Sequence, residues 1–566
     1  MHISPLFDRV VALCFCIMLS ACAPGVNFGS SAAISKPNPA LGAFLAARYA
    51  ETIGDSENAA RFYMQALRAD PQNQSLLQDS FMAGLWAGDP EALSLAPRLK
   101  GDAMAALALG NAAVMDGDYG SATTYFKTLP NDELTMFMQP LLLAWTAFGQ
   151  GHEQQAQAIL QAASNRGAFD GVYRLNAALI ADAAGDTKLA ARLYGTIGNG
   201  PLNLRAAQIL ASWYARQGDK VRANAILTGF ARAHPDLVLA LPRLRAQMEQ
   251  PVVVTAQQGL AEAYLTVAAS FSQPQATFLR TVLLRFALTL RPDLASARMV
   301  LANSLVDDVG TRHQVMAPRI EAALAVLARI QPQDPLYVTA VIQESRLNVA
   351  LGRNDEAARL LAQLIASHPD NPVLLTVAGD QQRLANQCSV ALPYYQKAID
   401  LIGRAPPPDA WPLFFDRGIC EDQQGNWPAA EADFQHALRL SPNQPYVLNY
   451  LAYRWAQKGV NLELAQQMVL RAVSIDPNDG GLLDSLGFIE LKRGNTKQAL
   501  TLLMGAVRLA PGNAEVNAHL GDAFAQAGQS LQAIYQWNRA LTLNPDPALK
   551  AALTGQISKA MQALTP

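Results

Sequence analysis

Apolar residues recur three and four apart along most of the chain, the spacing of amphipathic helices, and over Trp411–Asp546 that spacing repeats as a block. Four blocks lie in register: WPLFFDRGICEDQQGNWPAAEADFQHALRLSPNQ, PYVLNYLAYRWAQKGVNLELAQQMVLRAVSIDPN, DGGLLDSLGFIELKRGNTKQALTLLMGAVRLAPGN and AEVNAHLGDAFAQAGQSLQAIYQWNRALTLNPD. Each carries a proline near its end: Pro442, Pro477, Pro511 and Pro545. A small residue opens the inner frame of each: Gly418, Ala452, Gly487 and Gly521. Further on come an alanine (Ala430, Ala465, Ala499, Ala533), a bulky apolar residue (Phe434, Val469, Leu503, Trp537) and a second alanine (Ala437, Ala472, Ala506, Ala540). The pattern predicts two antiparallel helices per block. Such helices approach closely only where small residues face each other, and the bulky residue fills the gap beside them. The proline cannot continue a helix, so it ends the second helix and starts the next turn.

This small-large-small frame resembles the tetratricopeptide repeat, a helix–turn–helix unit of about 34 residues. The resemblance implies an all-α fold: a right-handed α-solenoid of stacked antiparallel hairpins, about 11–13 repeats long. One unit cannot bury its apolar face alone, so neighbours must stack. The resemblance covers most of residues 40–546 and is strongest over 371–546. There, Leu448-Asn449-Tyr450-Leu451, Asp484-Ser485-Leu486-Gly487 and His519-Leu520-Gly521-Asp522 look like the repeat core of bacterial envelope lipoproteins.

Weaker copies extend toward the N-terminus. Leu41–Ala50 and Glu57–Ala69 make a first hairpin, with Ala59, Tyr63, Ala66 and Pro71 in frame. Leu109-Gly110 with Ala122 and Phe126, Ala144 with Gly151 and Ala156, Ala178 with Gly185, Ala190 and Tyr194, and Ala211 with Gly218, Ala223 and Leu227 continue the series over residues 40–235. The turns Gly117-Asp118, Gly185-Asp186 and Gly218-Asp219 fall between the helices of a unit, where glycine suits a helix C-terminus. Residues 236–370 form a degenerate middle. Its stretch 236–335 is the least regular, and a break or hinge in the superhelix is expected there. Regularity returns with Gly352, Ala357, Leu361 and Pro369, then with Gly379, Ala391, Tyr395 and Ala398. Arg404-Ala405-Pro406-Pro407-Pro408 reads as a stiff polyproline-like spacer. Regular repeats occupy 371–546. Residues 547–566 read as a capping helix whose Leu549, Leu553, Ile557, Met561 and Leu564 share one face.

Composition adds little to this picture. Of 566 residues, 51% are hydrophobic and 16% charged, which excludes a disordered chain. A net charge of −2 offers no electrostatic footprint for nucleic acid. The N-terminus is more specific. Arg9 precedes the short apolar run Val10–Leu19, too short to span a bilayer and suited to the core of a cleaved signal peptide over 1–21. Leu19-Ser20-Ala21-Cys22 resembles the lipobox of bacterial lipoproteins, which implies lipidation of Cys22 and anchoring by buried acyl chains. The other reading of this segment is an ordinary secretory signal. Ala23 after the cysteine, where an aspartate would favour the inner membrane, points to an outer-membrane lipoprotein facing the periplasm. Residues 22–39, rich in Ser, Ala, Gly, Asn and Pro, read as a flexible tether.

The chemistry checklist yields no catalytic set, no metal site and no cofactor. His152-Glu153 begins like a zinc-protease motif, but Ala156 stands where the second histidine must be. Cys388 falls near the start of a second helix and Cys420 near the end of the next first helix, ends that should be neighbours. A disulfide between them suits an oxidising compartment; the alternative is two small buried thiols packing as hydrophobes.

In repeats of this kind the first helix of each unit lines the concave groove. That places Phe415, Ile419, Tyr446, Asn449, Tyr453, Asp484, Phe488 and Asp522 on it. Aromatic anchors beside Asn and Asp suit a protein partner, an extended peptide or a helix, rather than a small-molecule substrate; the alternative is packing between neighbouring first helices. The basic clamp with which chaperone-binding family members grip a terminal carboxylate is missing. The sequence therefore reads as a lipid-anchored periplasmic interaction scaffold, with a role in outer-membrane or envelope assembly. The alternatives are an accessory lipoprotein of exopolysaccharide or pilus secretion, or an enzyme with its site in 236–335. A polar pocket with paired titratable groups there would favour the enzyme, stacked apolar hairpins the scaffold. The frame also makes a packing prediction: Ala437→Leu overfills its hairpin and costs about 1–3 kcal/mol, read as a lowered thermal unfolding midpoint.

Overall fold

Small-against-large contacts pair the helices of each hairpin. A Cβ added to Gly418 would sit 2.7 Å from the Phe434 ring, and one on Gly521 would sit 2.4 Å from the Trp537 indole. The same holds for Gly110 against Phe126, Gly379 against Tyr395 and Gly487 against Leu503, at 2.2, 2.5 and 2.6 Å. The flanking alanines Ala430, Ala437, Ala499, Ala506, Ala533 and Ala540 are fully buried. Between the two helices, Gly185 and Gly218 take φ of 79° and 88°, the left-handed conformation that closes a helix C-terminus at no side-chain cost. Asn371, Asp479 and Asn513 cap the helices that follow them, each side chain accepting from two backbone N–H groups of the first turn.

The computed structural model describes residues 39–130, 133–164, 169–197, 202–271, 276–307 and 313–564. They form thirty α-helices joined by turns and short 3-10 segments, with no strand among the described residues. The leader, Cys22 and residues 23–38 of the tether lie outside them.

Contacts divide the chain into two compact units, Met1–Leu99 and Lys100–Pro566, a boundary inside the segment 40–235 that the sequence reading kept whole. In the first unit, Pro39–Thr52 and Ser56–Ala69 form the hairpin expected there, with Ala59, Tyr63 and Ala66 buried. Gln74–Ala87 follows, and its partner is cut down to Pro90–Leu93 and a 3-10 turn.

The second unit stacks hairpins in order, except in the middle. Ala256–Ser270 does not simply extend the row. It packs back on Glu133–Gly149 and Asp170–Ala183, while Thr277–Leu290 touches Ala103–Met115. Gly259 makes this close approach achievable: its Cβ position is 2.3 Å from the fully buried ring of Trp145. The Tyr264 hydroxyl, buried, donates to Asn111 Oδ1 at 3.0 Å across 153 residues of sequence. Glu262, fully buried, binds two arginines: Arg205 Nε donates to it at 2.9 Å and Arg291 Nη1 at 3.1 Å. The irregular stretch is thus not a loose hinge but a doubling-back pinned by a glycine, a tyrosine and a buried ion pair.

Toward the C-terminus the structure joins Cys388 and Cys420 by a disulfide, their Cα atoms 5.0 Å apart. The spacer before Trp411 is extended at Pro407 (φ −69°, ψ 156°) and then winds into a 3-10 turn over Pro408–Ala410. The capping helix Pro547–Leu564 covers the last hairpin with only part of its apolar face. Leu553 is buried, and Leu549 and Ile557 pack beside Trp537, but Met561 and Leu564 are exposed.

Removing the charge of Glu262 tests the doubling-back. Glu262→Gln takes from Arg205 its ion-pair partner and leaves Arg291 with Asp293 alone, and should destabilise the fold by about 3–5 kcal/mol, measured by thermal or denaturant unfolding.

Candidate functional site

The first helices Pro445–Lys458, Gly480–Lys492 and Ala514–Gln526 touch one another in order, as Pro372–Leu384 touches Trp411–Gln423. Their adjacency follows from the repeat frame: the small residue of each first helix is spent against its own second helix, and the next faces meet neighbours. The expected groove residues sort into three groups. Phe415 and Ile419 are half-buried in the core cluster around Phe434; the Phe415 ring meets Tyr450 edge-on at 5.9 Å. Tyr446 is 63% exposed. Of the remainder, Tyr453, Asp484 and Phe488 form one connected patch around His519.

In that patch Phe488 is buried, with its ring 5.0 Å from Tyr453 and 4.6 Å from His519. Asp484 is buried and accepts from His519 Nδ1 at 2.9 Å. The Tyr453 hydroxyl donates to Glu515 at 2.5 Å and lies 3.4 Å from His519 Nε2. Asp522 accepts from Trp537 Nε1 at 2.9 Å and from Gln556 Nε2 of the capping helix at 3.1 Å. Two acceptors have no donor: Asn449 Oδ1 and Asp484 Oδ1 are both shielded from water and unpartnered. They occupy the same place in consecutive repeats, three residues before Ala452 and Gly487.

Burial pulls the His519 imidazole down, but Asp484, Glu515 and Asp522 outweigh it and hold the pKa above its ordinary value. Burial raises the Asp522 carboxyl, opposed by its Trp537 hydrogen bond. Three repeats before His519, burial and the neighbouring Asp380 push Asp416 up to about 7, against the pull of Arg383 at 3.1 Å.

Sequence reading missed His519, Glu515, Asp416 and Arg383. A usable signal existed. Cross-repeat partners sit close to one repeat apart: Asp484–His519 by 35 residues, Asp422–Arg454 by 32, Asp182–Arg216 by 34 and the disulfide by 32. Complementary groups at that spacing face each other because stacking repeats the geometry at every period.

The profile of the tetratricopeptide repeat matches residues 43–73, 376–445 and 487–547. Those segments of the chain carry tetratricopeptide repeats. It is 26% identical over 202 residues to a TPR repeat-containing protein of Pseudomonas aeruginosa, covering 35% of this chain and 33% of that protein. It is 27% identical over 146 residues to Superkiller protein 3 of Schizosaccharomyces pombe, covering 25% of this chain and 10% of that one. The chain thus spans a third or less of the length of the curated relatives it matches. Among solved structures it is similar to yeast Tom70 (14% identity, 93% of this chain and 96% of that one, TM-score 0.36). It is also similar to the APC/C hetero-tetramer Cut9–Hcn1 (17% identity, 82% and 90%, TM-score 0.37).

In the stretch 236–335, the one buried carboxylate among the described residues, Glu262, is bound by Arg205 and Arg291. No group of three His, Cys, Asp or Glu able to hold a metal occurs among the described residues.

The titration of Asp416 has a readable sign. Its folded pKa of about 7 exceeds the ordinary 3.8, so the stability it contributes is complete below about pH 4 and lost as pH rises through 7. Asp416→Asn has no such loss. Relative to wild type, its unfolding temperature should climb between about pH 5 and pH 8, measured by differential scanning fluorimetry across pH.

Proposed function

We propose that this protein is an interaction scaffold whose C-terminal groove receives an extended segment or a helix of a partner protein. The observation that carries the reading is the pair of unpartnered acceptors, Asn449 Oδ1 and Asp484 Oδ1, set in register on adjacent first helices beside Tyr453. A buried acceptor without a donor costs about 1–3 kcal/mol. Two of them at one repeat spacing suit N–H donors delivered along an extended chain. Exposed Tyr446 offers an anchor at the rim, whereas Phe415 and Phe488 act mainly by packing the groove floor.

The setting of this scaffold is the second part of the proposal. The lipobox-like Leu19-Ser20-Ala21-Cys22 supports anchoring through lipid on Cys22, and Ala23 supports an outer-membrane location facing the periplasm. A scaffold held there by a tether is suited to outer-membrane or envelope assembly. The disulfide between Cys388 and Cys420 agrees with an oxidising compartment.

Crosslinking pull-downs from native envelopes test both parts. Tyr446→Ala with Asn449→Ala should lose a wild-type partner by about tenfold while keeping its melting temperature, since neither change opens the core. An unchanged partner set would refute the groove. Cys22→Ser should move the chain out of the membrane fraction; retention there would refute the anchor.

A further inference from the structure

In a solenoid a repeat ordinarily touches only its neighbours. Tyr453 breaks that rule. It lies on Pro445–Lys458, and its hydroxyl reaches past Gly480–Lys492 to Ala514–Gln526. There it donates to Glu515 Oε1, 62 residues on, at 2.5 Å, and lies 3.4 Å from His519 Nε2, 66 residues on. His519 also ties in the intervening helix: its Nδ1 donates to Asp484 at 2.9 Å, and its ring packs on Phe488 at 4.6 Å. His519 and Asp484 are buried, while Glu515 is exposed. One imidazole thus joins three consecutive repeats.

The number of protons decides the state of the ring. The phenol has one proton, and Glu515, nearer and charged, accepts it. The phenol oxygen then presents a lone pair to Nε2, so Nε2 is paired only when it carries a proton of its own. Nδ1 already carries one toward Asp484. Only the imidazolium completes the chain; a neutral ring leaves either Nε2 or Glu515 without its partner. Asp484, a buried carboxylate, has His519 as its ion-pair partner. We propose that His519 is a pH-sensitive clasp: protonated, it binds Asp484 and Tyr453 at once and holds three consecutive first helices to one curvature; deprotonated, it gives up one bond across the skipped repeat and lets the stack relax. The charged groups facing the ring agree. Burial lowers its pKa, but Asp484 from Gly480–Lys492, and Glu515 and Asp522 from its own helix, outweigh burial and hold it above the ordinary value. Trp537 of the last hairpin and Gln556 of the capping helix, both uncharged, are bonded to Asp522, and Lys492 acts on Asp522 from Gly480–Lys492. A raised pKa keeps the clasp complete below about pH 6.5 and removes it as pH rises through the folded pKa. The clasp stands whether or not a partner occupies the groove.

Two local readouts on the full-length chain test it, because Asp416 also titrates and a melting temperature would mix the two groups. NMR follows the His519 ring across pH, assigned by its loss in His519→Gln. Hydrogen exchange, corrected for the intrinsic pH dependence of amide exchange, follows Pro445–Lys458, Gly480–Lys492 and Ala514–Gln526. In wild type the ring should titrate above 6.5, and protection of the three helices should fall as pH rises through that pKa. Tyr453→Phe keeps the aromatic contact and removes the hydroxyl. The proton affinity of His519 should then drop about tenfold, and protection should be low at every pH. Glu515→Gln, at an exposed position, frees the phenol proton for Nε2. Proton affinity should again drop about tenfold, and protection should no longer change with pH. A wild-type ring that titrates at or below 6.5, a Tyr453→Phe ring with wild-type proton affinity, or an unchanged pH dependence of protection in Glu515→Gln would each overturn the clasp.

Discussion

The contact on which this structure depends is the close approach of two helices at a small residue. Gly110, Gly379, Gly418, Gly487 and Gly521 each receive a bulky side chain from the partner helix at a distance that leaves no space for a Cβ. That contact fixes the crossing within a hairpin. It also turns the remaining faces of both helices outward, where they must be covered by the next hairpin. Stacking is therefore a consequence of the contact and not an added feature. The two alanines that flank each bulky residue are buried for the same reason.

The middle of the second unit uses the same device for a different end. Gly259 accepts the ring of Trp145, a residue more than a hundred positions away, and lets one helix settle against a row already formed. The contact is supported by polar groups that have no solvent alternative: Tyr264 with Asn111, Trp145 with Asn176, and Glu262 between two arginines. Buried polar pairs of this kind add little net stability but penalise any other packing heavily. They define one arrangement of a segment whose apolar pattern alone would permit several.

The residues expected to line a C-terminal groove are of two kinds that sequence could not separate. Phe415, Ile419 and Phe488 lie on first helices, and their rings and side chains fill space between neighbours. Asn449 and Asp484 lie at the equivalent place and present acceptors with no donor from the chain. Asp522 is held by the capping helix through Gln556, a contact the pattern of its own helix does not indicate. His519 and Asp416, which carry the shifted pKa values, escaped notice because a single helix pattern says nothing about which charge the next helix brings alongside. The one-repeat spacing of the cross-repeat pairs contained that information.

The sequence by itself determined the hairpins, their frame and the neighbouring placement of Cys388 and Cys420, because each rests on local spacing: small against large within a unit, proline after it, and one period to the neighbour. It also determined where the regularity weakens. Only the tertiary structure decided what happens there. Whether Ala256–Ser270 extends the stack or doubles back depends on Gly259 meeting Trp145, Tyr264 meeting Asn111 and Arg205 meeting Glu262. Those partners are 57 to 153 residues apart where separations are fixed by hydrogen bonds. No periodicity links them, so their pairing is chosen by shape and charge in the assembled fold.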